Sequence, residues 1–97
     1  MSAEGGPAAA GESVVTVRYW AAARAAAGRP DDTVRARTVA EALDAVRVLH
    51  AAEPRLASVL DISSFLLGDR PLGAADLRQV HVRDGDVVEV LPPFAGG

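Results

Sequence analysis

Few side chains in this sequence can do chemistry. There is no cysteine, which excludes disulfides, thiolate metal sites and a cysteine nucleophile together. His50 and His81 are the only imidazoles. His50 stands at the end of a long helical pattern, where the helix dipole favours a cation, so capping explains it before ligation does. His81 lies between two valines and reads as an exposed strand residue. Asp84 and Asp86 flank a glycine, and Asp31 and Asp32 follow a proline, so turn chemistry accounts for both acidic pairs. Neither a metal site nor a catalytic triad can be assembled from these residues, and no cofactor is expected. All ten basic residues are arginine, so no lysine side chain is offered for an isopeptide bond. The reactive group that remains is a main-chain one, the C-terminal carboxylate of Gly97.

The residues before that carboxylate suit its presentation. Gly96 and Gly97 carry no side chains, so the carboxylate can thread a narrow channel and adopt backbone angles closed to other residues. Pro92 and Pro93 stiffen the base of this stalk and hold it away from any sheet. Phe94, followed by Ala95, is placed to fill a partner pocket rather than to stand as a merely exposed aromatic; the alternative reading of Gly96 and Gly97 is a disordered end.

The elements that must position this tail are legible in outline. Residues 1–13 are mostly Gly, Ala, Ser and Glu without periodicity and read as a flexible leader. Residues 14–20 are β-branched and aromatic, a strand signal. The alanine-rich stretch 21–27 reads as a short helix stopped by Gly28. After turn residues 29–32, residues 33–37 form a second strand and close a hairpin with the first. Thr38 and Glu41 make a capping box, in which the threonine hydroxyl accepts from the Glu41 amide and the glutamate reaches back to the Thr38 amide. Val39, Leu43, Val46 and Leu49 then share one face of a helix running to about His50. Glu53 and Pro54 open a shorter helix with Leu56 and Leu60 inward. Residues 64–67 are a short strand entering a turn at Gly68, and residues 73–79 are loop. Asp84-Gly85-Asp86 is a tight turn before a last strand at 87–91, which Pro92 ends because proline cannot donate to a ladder.

Strand, strand, long helix, strand, strand places the first and last strands side by side and parallel. The expected fold is α+β, a β-grasp with one main helix on a mixed four- or five-stranded sheet. Ninety-seven residues allow one domain, spanning 14–97 with its tail at 92–97. A net charge of −3 argues against nucleic acid as a partner. No apolar run approaches the roughly 20 residues that span a bilayer, and residues 1–11 lack the regions of a secretory signal, so the cytoplasm is the expected compartment.

With these elements in place, the sequence resembles the MoaD/ThiS sulfur carriers, ubiquitin-like proteins. The resemblance covers residues 14–97 and rests on the first strand with its alanine-arginine continuation, the capped helix and, above all, the run from Asp84 to Gly97. The Pro-Pro-x-x-Gly-Gly ending is closest to the small subunit of molybdopterin synthase, the branch that serves molybdenum cofactor synthesis. The leader is longer than the family needs, and no lysine lies near the tail. The resemblance implies a non-catalytic carrier whose terminal glycine, here Gly97, is adenylated by an ATP-dependent activating enzyme of the E1 type and converted to a thiocarboxylate. It also implies docking on the synthase large subunit, in a heterotetramer, through apolar positions matched by Trp20 and Leu91 beside Pro92 and Pro93. Core positions under the helix are the other reading of Trp20 and Leu91; Arg18 and Arg83 are solvated or rim charges. The rival functions are a carrier for thiazole or cysteine synthesis and a ubiquitin-like interaction module whose tail is never activated.

Overall fold

The structure, a computed structural model, describes residues 11–93. Strand β1 (Ser13–Tyr19) begins one residue before the expected Val14. It is followed by α1 (Ala21–Ala27), β2 (Asp31–Ala36), α2 (Val39–Leu49), α3 (Pro54–Asp61), β3 (Ser64–Leu67), β4 (Arg70–Pro71), a 3-10 turn at Leu77–Gln79 and β5 (Val87–Leu91). The strands form one sheet in the order β2-β1-β5-β3-β4. β1 pairs antiparallel with β2 from Ser13–Ala36 to Arg18–Asp31 and parallel with β5 from Thr16–Val87 to Tyr19–Val90. The first and last strands therefore lie parallel at the centre, as the order of elements requires.

The pleat sorts the residues of β1. Val15, Val17 and Tyr19 are buried, and Val14, Thr16 and Arg18 face the other way. Val34 and Ala36 of β2 and Val88 and Val90 of β5 extend the buried side. Against it pack Ala23 and Ala26 of α1, Val39, Ala42, Leu43 and Val46 of α2, and Leu56, Val59 and Leu60 of α3. Burying each of these leucines stabilises the fold by roughly 2 kcal/mol. All three helices thus cover one face and leave the other open. Among the described residues no helix is long and apolar enough to cross a membrane.

Local chemistry sets the ends of the elements. Gly28 closes α1 at φ 77, its N–H on the Arg24 carbonyl at 2.9 Å, a left-handed stop that suits glycine. Gly85, at φ 88, turns the chain into β5, and Asp84 and Asp86 serve the turn. Asp84 Oδ1 accepts the Val14 amide at 2.7 Å, and Asp86 Oδ2 accepts the Arg83 amide at 2.9 Å. The Thr38 hydroxyl accepts the Glu41 amide at 3.2 Å, which caps α2.

Four local expectations are corrected. Glu41 reaches the amide of Arg37, at 2.8 Å, and not that of Thr38. The chain enters α2 as extended backbone bridged to residues 80–82, with Val39 N–H on Val80 and Val82 N–H on Arg37, and this brings the earlier amide within reach. Leu49 is exposed and His50 takes the inward place. At about 100° per residue, His50 falls within roughly 30° of the centre of the stripe formed by Val39, Ala42, Leu43 and Val46, and Leu49 about 70° from it. Asp31 and Asp32 are strand residues, because pairing with β1 runs on to Arg18–Asp31. His81 is exposed but makes only a single bridge, to Thr38.

Candidate functional site

The functional candidates at the base of the tail converge. Trp20 lies one residue beyond the last β1–β5 pair, Tyr19–Val90, and its N–H donates to the Val90 carbonyl at 3.2 Å. Its own carbonyl accepts from Ala23 at 3.0 Å and Arg24 at 3.3 Å as α1 begins. Ala21 makes the strand-to-helix corner at φ 49, a left-handed conformation that costs an alanine about 1 kcal/mol. The corner throws the indole outward, 45% exposed. Trp20, Ala21, Leu91 and Pro92 line a groove of about 260 Å³. Pro92 has no N–H, so the ladder stops there and the chain departs from the groove's edge. Leu91 is half-buried and paired with Ser64, and Pro93 is exposed beside it. Trp20 and Leu91 are not core under the helices; Tyr19, pointing the opposite way, is the core residue.

Two polar groups border the groove. Glu89 of β5 lies directly across from Arg18 on the open face. Its Oε1 accepts the Trp20 indole N–H at 2.7 Å, and its Oε2 accepts from Arg18 at 3.2 Å. Arg18 is therefore paired within the sheet rather than simply solvated. The expected tail residues Phe94, Ala95, Gly96 and Gly97 lie outside the described residues, as does the leader over residues 1–10.

A second constellation escaped the sequence reading. Asp32 is buried, and its Oδ2 accepts the Tyr19 hydroxyl at 2.8 Å and faces His50 Nε2 at 2.7 Å. Its Oδ1 accepts from Arg29 at 3.0 Å. The Tyr19 and His50 rings meet edge to face, centroids 6.1 Å apart. Burial, then the hydrogen bond to Asp32, pushes the Tyr19 phenol well above its ordinary range. His50 is thus a buried partner of Asp32 as well as a helix-end residue. The signal was present: Tyr19 is in phase with Val15 and Val17, Asp32 with Val34 and Ala36, and His50 with Val46. Polar residues on three buried stripes must find one another. The cluster is closed and structural; among the described residues no group of acidic and histidine side chains can hold a metal.

A mixed sheet with parallel central strands, helices on one face, and an apolar groove where the last strand ends define a ubiquitin-like β-grasp protein. No protein-family model matches the sequence. The molybdopterin synthase sulfur carrier subunit of Chlamydomonas reinhardtii is 31% identical over 83 residues, covering 86% of this chain and 98% of that protein. This chain belongs to the family of molybdopterin synthase sulfur carrier subunits. Solved structures agree on the fold. The small archaeal modifier protein 1 of Haloferax volcanii superposes with a TM-score of 0.71 at 25% identity, over 88% of this chain and 100% of that one. That of Methanosarcina acetivorans gives 0.70 at 22%, over 89% and 98%. A chain from the complex of subunits 1 and 2 of the molybdopterin-converting factor of Helicobacter pylori gives 0.59 at 23%, over 87% and 99%.

Proposed function

We propose that this carrier delivers sulfur for molybdopterin synthesis as a thiocarboxylate on Gly97. A free carboxylate is a poor electrophile, so an activating enzyme first transfers AMP from ATP to it and releases pyrophosphate. A sulfur donor then displaces AMP from the acyl-adenylate, and the thiocarboxylate sulfur becomes the nucleophile toward the pterin precursor. The chain is the carrier in these steps and not their catalyst. Its contribution is presentation, with the Gly96-Gly97 end threading a partner's channel and the groove of Trp20, Ala21, Leu91 and Pro92 receiving the partner's apolar surface. That groove, at the root of a Gly-Gly tail on a chain of this family, is the observation that carries the reading. The partners are an ATP-dependent activating enzyme and the synthase large subunit, two copies of each subunit forming a heterotetramer in the cytoplasm. The complex of subunits 1 and 2 named for the Helicobacter pylori protein supports the second partner.

The test is intact mass after incubation with the cognate activating enzyme, ATP and a sulfur source. The parental chain should gain the difference between sulfur and oxygen. Deleting Gly97 should abolish both this gain and sulfur transfer without changing stability. One extended residue spans about 3.5 Å, and a misplacement of 1 Å can cost on the order of a hundredfold in rate. A parental chain that stays unmodified overturns the proposal. It would favour a second reading, a ubiquitin-like module that acts without sulfur, which the likeness to small archaeal modifier proteins supports. A mass gain with a different co-purifying large partner would instead point to thiazole or cysteine synthesis.

A further inference from the structure

The groove needs a rigid wall, and its largest wall is an indole that packing alone does not hold. Trp20 is 45% exposed and sits at a chain corner rather than within a strand. The group that reaches it is a carboxylate from the other central strand. Glu89 is only 16% exposed in its side chain, and its two oxygens are divided, one to the Trp20 N–H at 2.7 Å and one to Arg18 at 3.2 Å. An indole N–H is a donor only. When a partner covers the groove and water leaves, that donor needs an acceptor already in place, or the covered N–H is left unsatisfied. The same removal of water would strand the Glu89 charge, and Arg18 is positioned to neutralise it.

We propose that Glu89 is a positioning residue for partner docking: it clamps the Trp20 ring as a preformed wall of the groove, and Arg18 is the counterion that lets the clamp survive burial. This rests on reading the groove as the surface that meets the synthase large subunit, and it assigns that subunit an apolar side chain seated against the indole. A preformed wall matters because ordering a loose aromatic on binding is subtracted from affinity.

Trp20 is the single tryptophan of the chain, so its fluorescence reports this one ring without any partner present. In the free, full-length protein, Glu89→Val, a residue suited to a strand, should lower the fluorescence anisotropy of the ring at short times and increase its quenching by acrylamide. Glu89→Gln retains an acceptor and should keep the ring restrained; Arg18→Ala should leave the free ring restrained as well. Binding of the cognate large subunit should weaken about tenfold in Glu89→Val, and in Glu89→Gln stay within about threefold of the parental value. Arg18→Ala should weaken it by an intermediate factor. An indole as restrained in folded Glu89→Val as in the parent overturns the clamp, whatever the tail does. A freed indole with unchanged affinity, where Trp20→Ala loses binding, overturns the role of the clamp in docking. Unchanged affinity in Trp20→Ala overturns the docking reading beneath it. Should Glu89→Val fail to fold, Glu89→Ala carries the same test, and an indole as restrained there as in the parent overturns the clamp.

Discussion

Asp32 gathers three side chains from three parts of the chain, and Tyr19 is the one whose ionisation the fold resists. The phenol is 1% exposed and donates to a carboxylate, so ionising it would bury a second negative charge against the first. Its folded pKa lies above the unfolded value. The resulting contribution to stability is fully present below the unfolded pKa of about 10 and is lost as pH rises further, by about 1.4 kcal/mol per pH unit. The sequence makes this unusually clean, since it contains one tyrosine, no cysteine and no lysine, and arginine does not titrate in that range. Urea unfolding followed from pH 8 upward should show stability falling above about pH 10, with phenolate absorbance appearing only as the chain unfolds. Tyr19→Phe should remove that slope and cost about 1 kcal/mol at neutral pH, because Asp32 loses one donor. Phenolate absorbance near pH 10 in a chain that is still folded would contradict the assignment.

At the scale of elements, the helix α2 is the best-specified piece of the molecule. Its buried stripe of Val39, Ala42, Leu43 and Val46 packs on the sheet, and its first turn is closed by Thr38 and Glu41. Thr38→Ala removes the acceptor for the Glu41 amide and should cost about 1 kcal/mol, lowering the melting temperature by roughly 4–8 °C in a domain of this size. Calorimetry showing no change would mean that the hydroxyl contributes nothing to the start of the helix. The cap was readable because donor and acceptor lie three residues apart. The partner of the glutamate was not, because it depends on how residues 37–39 pair with residues 80–82. The exchange of Leu49 for His50 has a similar origin: the stripe is read one residue at a time, and where it ends depends on what Asp32 and Tyr19 place above it.

For the whole molecule, the central fact is that β1 and β5, distant in sequence, are neighbours. Their pairing puts Trp20 beside Leu91 and Glu89, and so builds the groove where the tail departs. The composition of residues 1–10 offers no large apolar side chain to a core beyond Met1, so deleting residues 1–10 should leave the melting temperature within error. A loss of several degrees in a thermal melt would show that this segment contributes to the fold. Gly11, Glu12 and Ser13 are better kept, because Ser13 pairs with Ala36 in β1 and its hydroxyl reaches the Val82 carbonyl at 3.4 Å.

What the sequence determined by itself is what acts over a few residues. Alternation in β1, periodicity in α2, the glycine stop at Gly28, the turn at Gly85 and the proline end of β5 each depend on local backbone geometry, and together they specify the order of elements and hence the β-grasp. The Gly-Gly ending and the absence of cysteine and lysine are the features on which the proposed thiocarboxylate at Gly97 rests. Only the tertiary structure decided which side chains meet. Asp32 finds Tyr19 at 13 residues and His50 at 18, and Trp20 finds Glu89 at 69. Such pairings depend on the register of one strand against another and the phase of a helix above them, and a shift of one residue would turn each side chain to the opposite face.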